Sequence, residues 1–149
     1  KYAPHQNGTL KEIPSRKVWE TPLNESLMMG SSIGLALAGF KPIVCIERFN
    51  FAWLATDALM NQLNCLNSLS KGEFNPKVII RVTCGNEKTG IYPGLQHTGD
   101  FSDAFEKILS FPLFRVKTIK QIKEAYKYAR EGNTSCFITE YRDYYEEKE

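Results

Sequence analysis

The sequence predicts an α/β domain of three layers, with helices on both faces of a mainly parallel sheet. Three observations lead there. Short runs rich in Val, Ile and Cys alternate with runs whose apolar residues recur every three or four positions, so strand and helix follow one another in turn. The strand candidates are apolar throughout rather than at every second residue, as in sheets covered on both faces and joined by right-handed βαβ crossovers. The length of 149 residues suits a single domain, residues 1–149, that buries roughly 70% of the surface of its unfolded chain.

Each element follows from a local signal. Lys17 to Glu20 (KVWE) reads as a short strand, ended by Thr21-Pro22. Thr21 or Asn24 then supplies a helix cap with Pro early in the first turn. The first helix runs to about Ala38 and stops at Gly39. Lys41 to Glu47 (KPIVCIE) is a buried strand. Asn50 to Leu69 is a helix with apolar Trp53, Leu54, Ala58, Leu59 and Leu63, and Lys77 to Thr83 (KVIIRVT) is the next strand. A glycine-rich loop spans Cys84 to Gly99, with Gly85, Gly90 and Gly94 inside it. A helix at Ser102 to Leu109, a strand at Phe114 to Lys117, a helix at Ile119 to Arg130 and a strand at Cys136 to Glu140 complete the order. The two ends, 1–11 and 142–149, are polar or charged and read as loose. The chain does not start with Met, which fits a piece of a longer protein.

Composition excludes several classes of function. A net charge of +2 with scattered lysines gives no footprint for nucleic acid. The longest apolar stretch, Leu27 to Phe40, is too short and too rich in Ser and Gly to span a membrane. Cys45, Cys65, Cys84 and Cys136 include no C-x-x-C pair, so a structural metal is not expected and reduced thiols are, as in the cytoplasm or an organelle matrix.

Ligands of open parallel sheets sit outside the carboxyl ends of the strands, which singles out Thr21 to Glu25, Glu47 to Phe51 and Cys84 to His97. Glu25 opens a helix that carries no other charge as far as Gly39. One reading makes it a carboxylate favoured by the helix dipole, worth a few tenths to about 1 kcal/mol. The other makes it a reagent. Leu27, Met28, Met29 and Ile33 would keep water away, and Gly30, Gly34 and Ala38 form a small-residue ridge that admits another backbone. A carboxyl group in such surroundings holds its proton more readily and can give it to a ligand at neutral pH. Phe49 and Phe51 flank Asn50 where the second strand is expected to end. Both could be core, or one could cover a flat ring while the other fills the core below. His97, one of two histidines, is either a surface residue or a substrate contact on the glycine-rich loop.

The runs RKVWETPLNESLMMGSSIGLALAGFKPI, ERFNFAWLATDALMNQ and GLQHTGDFSDAF resemble, in order and spacing, the transketolase-like pyrimidine-binding domain of thiamine-diphosphate enzymes. The likeness runs from about Thr9 to Glu140 and is nearest to the beta subunit of the 2-oxoacid dehydrogenases that act on pyruvate and branched-chain 2-oxoacids. The resemblance implies that Glu25 contacts the cofactor's aminopyrimidine, that Phe51 stacks on that ring beside Phe49, and that His97 lines the substrate channel. Glu25 and His97 would then be the catalytic residues. A proton shared by Glu25 with the ring nitrogen would make the exocyclic nitrogen a base toward the thiazolium carbon.

Three departures from the family pattern shape the expectation. The diphosphate and magnesium motif needs Gly-Asp-Gly, and Gly99-Asp100-Phe101 lacks the second glycine. An alpha-type subunit or domain is therefore expected to hold the diphosphate and Mg2+, in a dimer or heterotetramer, with this chain inactive alone. A strand and helix upstream and a C-terminal domain of the family have no counterpart here. Glu47 and Arg48 stand where relatives are less charged. The implied function is the pyrimidine-binding component of an enzyme that decarboxylates a 2-oxo acid or transfers its acyl or ketol unit. The alternative is a non-catalytic interaction domain that keeps the fold without the cofactor. A flavodoxin-like domain would need glycines after the first strand, and Thr21 to Glu25 has none.

Overall fold

The computed structural model describes residue 10, residues 12–85 and residues 93–145. Gly90, most of the first loose end and the last residues of the second lie outside them. Helix α1 spans Glu25–Leu37, strand β1 Ile43–Ile46, the helical segment α2 residues 49–69, and β2 Ile79–Cys84. There follow α3 (Leu95–Thr98), α4 (Ser102–Ile108), β3 (Leu113–Val116), α5 (Ile119–Glu131) and β4 (Cys136–Tyr141). The four strands form one parallel sheet in the order β1-β2-β4-β3. Parallel neighbours oblige the chain to cross over between strands, and the helices on those crossovers cover both faces. This is the expected three-layer architecture.

The pleat separates two cores. Ile80, Val82, Cys84 and Phe137 pack with Met29 and Ile33 of α1, with Ala52, Leu59 and Leu63 of α2 and with Phe105 of α4. Ile79, Cys136 and Ile138 turn the other way, onto Val116 and onto Ala125 and Ala129 of α5. Alternation along β2 and β4 sends successive side chains to opposite faces, so both strands are buried almost throughout. Arg81 and Glu140 fall on the α5 face. Their 2.6 Å ion pair is 7% exposed on each side. Tyr126 of α5 donates to Glu140 Oε1 at 2.8 Å and Tyr145 to Oε2 at 2.6 Å.

Three expectations are corrected. Lys17 to Glu20 is not a strand. A 3-10 turn covers Ser15–Lys17, and Trp19 is 63% exposed. Val18 and Trp19 are the only apolar residues there, and a strand that buries neither has nothing to hold it against a sheet edge. The cap of α1 is Asn24, whose Oδ1 accepts from the Leu27 amide at 2.9 Å, so Pro22 lies before the helix and not in its first turn. The second loose end is not loose as far as Tyr145: Arg142–Tyr144 forms a 3-10 turn, and the Tyr145 hydroxyl is tied to Glu140.

Helix α5 starts on a capping box. Thr118 Oγ1 accepts from the Gln121 amide at 3.3 Å, and Gln121 Oε1 accepts from the Thr118 and Lys117 amides at 3.2 and 2.9 Å. Thr118→Ala removes one half of this exchange and should cost about 1 kcal/mol, read as a lower urea midpoint with an unchanged slope.

Candidate functional site

The carboxyl ends of the strands place the predicted residues on three adjoining elements. Glu25 is the first residue of α1 and is 6% exposed, although it sits at a helix end where carboxylates normally reach water. Leu23, Asn24, Glu25, Ser26 and Leu54 line a cavity of about 260 Å3. The Ser26 hydroxyl donates to the Leu54 carbonyl, which joins the start of α1 to α2 at the cavity wall. Among the described residues no side chain pairs with the Glu25 carboxyl group.

Phe49 and Phe51 lie in the first turn of α2 and not on a strand. Residues two apart on a strand share a face, whereas on a helix they point roughly 200° apart. One of the two therefore fills the core and the other lies partly open beside α3. Phe49 is fully buried, edge-on to Phe101 and Phe105 at 5.7 and 5.0 Å and tilted against Phe137 at 5.3 Å. It is a core residue and has no face left for a ligand. Phe51 is half-buried, and its ring meets the imidazole of His97 edge-on, 5.5 Å between centroids. His97 Nδ1 is buried without a hydrogen-bond partner.

Asn50, between the two phenylalanines, fixes this contact. Its Oδ1 accepts from the Gly99 amide at 3.1 Å, and its Nδ2 donates to the Leu95 carbonyl at 3.4 Å, which clamps both ends of α3 and so the position of His97. Sequence reasoning passed over Asn50, Ser26 and Leu54. The place of Asn50 at the centre of the F-N-F run was the available signal. The structure thus brings Phe51 and His97 into contact and sets Glu25 beside Leu54, one turn further along the helix that carries Phe51. It separates Phe49 from all of them.

Asp100 is already committed. Its Oδ1 accepts from the Ser102 amide at 2.9 Å and its Oδ2 from the Tyr141 hydroxyl at 2.7 Å. Burial alone would raise its pKa, but the bonds from Ser102 and Tyr141 hold it below the ordinary carboxylate range. Among the described residues no three His, Cys, Asp or Glu side chains come together as a metal site would require.

The model of the transketolase pyrimidine binding domain matches residues 2–147. The 2-oxoisovalerate dehydrogenase subunit beta of Pseudomonas aeruginosa is 30% identical over 91 residues, which cover 61% of this chain and 25% of that one. The mitochondrial pyruvate dehydrogenase E1 component subunit beta of Saccharomyces cerevisiae is 33% identical over 101 residues, 68% of this chain and 27% of that one. The corresponding protein of Rickettsia bellii is 26% identical over 136 residues, 91% and 38% of the two chains. The matched region therefore spans between about a quarter and two fifths of the length of these relatives. A solved chain from Mycobacterium smegmatis, assigned to the thiamin diphosphate-dependent enzymes, superposes with a TM-score of 0.63 at 13% identity, over 94% of this chain and 26% of that one, which is a likeness of fold. Sequence match and parallel-sheet architecture agree, and the chain belongs to the transketolase pyrimidine-binding domain family.

Proposed function

We propose that this chain is the pyrimidine-binding component of a thiamine-diphosphate-dependent enzyme acting on a 2-oxo acid, working with an alpha-type chain or domain that holds the diphosphate and Mg2+. The observation that carries the reading is Glu25, a carboxyl group 6% exposed, unpaired among the described residues, at the wall of a cavity of about 260 Å3. An isolated buried carboxyl is costly unless a ligand completes it. The described residues fit one half of the cofactor. Glu25 offers a proton-sharing oxygen, Phe51 an aromatic surface and His97 an unused ring nitrogen, while Asp100 is spent on Ser102 and Tyr141. The small-residue ridge supports a partner as well, because a Cβ added at Gly30 or Gly34 would meet nothing within 4 Å.

When bound, thiamine diphosphate supplies the electron sink for breaking the bond next to the 2-oxo group. This chain supplies orientation and proton control. Glu25, itself only 6% exposed, would share a proton between one carboxyl oxygen and the aminopyrimidine ring nitrogen, and Phe51 would lie against the ring. His97, held by α3 against Phe51, would line the substrate channel. The relatives carry bacterial and mitochondrial names, which supports a cytoplasmic or matrix location, and no helix among the described residues is long and apolar enough to cross a membrane.

Native mass spectrometry of the protein purified untagged from its own cells tests the proposal. The expected result is a complex with a second chain and a ligand of the mass of thiamine diphosphate. A bare homo-oligomer without cofactor would favour the interaction-domain alternative and return Glu25 to the role of a helix-start residue.

A further inference from the structure

Two guanidinium groups at the carboxyl end of the sheet have no hydrogen-bonding side-chain partner among the described residues. Arg48 stands in the link between β1 and α2 and is 7% exposed, and Arg142 opens the 3-10 turn directly after β4. The Nη1 atoms of both are buried without a hydrogen-bond partner, and neither side chain bonds to any described residue. The contrast with Arg81 is direct. Arg81 is as deeply buried, but Glu140 Oε2 meets its Nη2 at 2.6 Å. Among the described residues neither Arg48 nor Arg142 has such a carboxylate.

Arg142 is within electrostatic reach of Arg48. Burial lowers the pKa of Arg48, and the charge of Arg142 lowers it further, with Glu47 and Tyr145 acting in the opposite sense. No oxygen of Glu47 or Tyr145 reaches either Nη1. The Tyr145 hydroxyl is engaged by Glu140 and Arg81, and the Asp143 carboxylate lies against Gly85. The backbone around the pair is held: Thr83 donates its hydroxyl to the Glu47 carbonyl, and the turn carrying Arg142 is anchored through Tyr145. A buried guanidinium group is stable when paired, and Arg48, with the half-buried Arg142 acting against its charge and an N–H group of each unused, matches the planar, multidentate demand of an oxyanion.

We propose that Arg48 and Arg142 form a binding site for the oxyanionic group of a small molecule, a phosphate or a carboxylate, at the carboxyl ends of β1 and β4. The inference stands on these two residues and does not depend on the cofactor assignment.

Calorimetric titration of the protein in its native assembly, at constant ionic strength set with chloride, tests it with inorganic phosphate in one arm and succinate in the other. Saturable binding of phosphate alone identifies the group as a phosphate; binding of succinate alone identifies a carboxylate. Either Arg48→Gln or Arg142→Gln should weaken the bound anion by about tenfold or more. Arg130→Gln, an exposed arginine at the end of α5, should leave it unchanged. If a glutamine variant does not fold, Arg48→Lys keeps the charge but loses the fork, and should show the same weakening. Absence of saturable binding in both arms, or equal affinity in the wild type and in the arginine variants, overturns the proposal.

Discussion

Glu25→Gln in the assembled enzyme should lower turnover by about 100-fold to 10,000-fold while leaving assembly and thermal unfolding nearly unchanged. Gln has the shape of Glu and can still donate a hydrogen bond, but it cannot share a proton with a ring nitrogen. Loss of a first-turn carboxylate costs the helix a few tenths to about 1 kcal/mol at most, so the folded population is not at issue. The split between the two readouts matters. A helix-dipole residue would lower stability slightly and leave turnover intact, whereas a proton-sharing residue does the reverse. Steady-state rates and unfolding midpoints measured on the same preparation decide it, and unchanged turnover would remove Glu25 from the chemistry.

The second large effect concerns stability. Arg81→Ala or Glu140→Ala leaves one buried charge without its partner and should cost about 3–5 kcal/mol, enough to unfold many domains of this size at moderate temperature. The paired change Arg81→Met with Glu140→Leu removes both charges and should recover most of the loss, since well-packed apolar residues replace such pairs at little cost. It still strands the Tyr126 and Tyr145 hydroxyls, so recovery should be incomplete. The pair also predicts a pH dependence. Burial by itself would raise the pKa of Glu140, but the bond and charge of Arg81, with the bonds from Tyr145 and Tyr126, bring it below the ordinary value. A carboxylate depressed in the folded state adds stability that is present in full above the unfolded pKa and is lost as pH falls through the folded one. Urea unfolding between pH 7 and the acid limit should therefore show a decline that begins as pH falls through the ordinary carboxylate range and continues below it, and the double replacement should flatten it.

Particular residues show what the sequence discloses and what it does not. The parallel sheet was legible because β1, β2 and β4 are apolar at successive positions, a pattern that only a doubly covered sheet accommodates. Glu25 was legible because it breaks an otherwise uncharged helix. The strand assigned to Val18 and Trp19 failed because β propensity is a preference for packed surroundings, and there are none to pack against. Phe49 and Phe51 were set on the wrong period: α2 begins at Phe49, one residue before the Asn50 start that its apolar spacing suggests, and the helical turn points the two rings apart rather than to a shared face. The Arg81–Glu140 pair was invisible for another reason. Each appears as a lone charge in an apolar strand, and only the β2–β4 pairing brings them together. Two opposite charges in strands expected to be fully buried were nonetheless a sign that each needed the other.

Helix α2 is not a uniform coil. It passes from an α-turn at Phe49–Ala52 through a 3-10 turn at Trp53–Ala55 to a π-helical stretch at Ala58–Leu63 before returning to α-geometry at Asn64–Leu69. A wide turn of this kind takes up an additional residue without unwinding the helix around it. Each residue advances an α-helix by about 100°, a 3-10 turn by about 120° and a π-turn by less, so the tightened and the widened stretches shift the phase in opposite senses. Phe49, Ala52, Leu59 and Leu63 therefore keep the common face they would share on a regular helix, and all four are buried. The departures offset one another in phase: the half that presents Phe51 and the half that fills the core stay in register although the stretch between them is not α-helical.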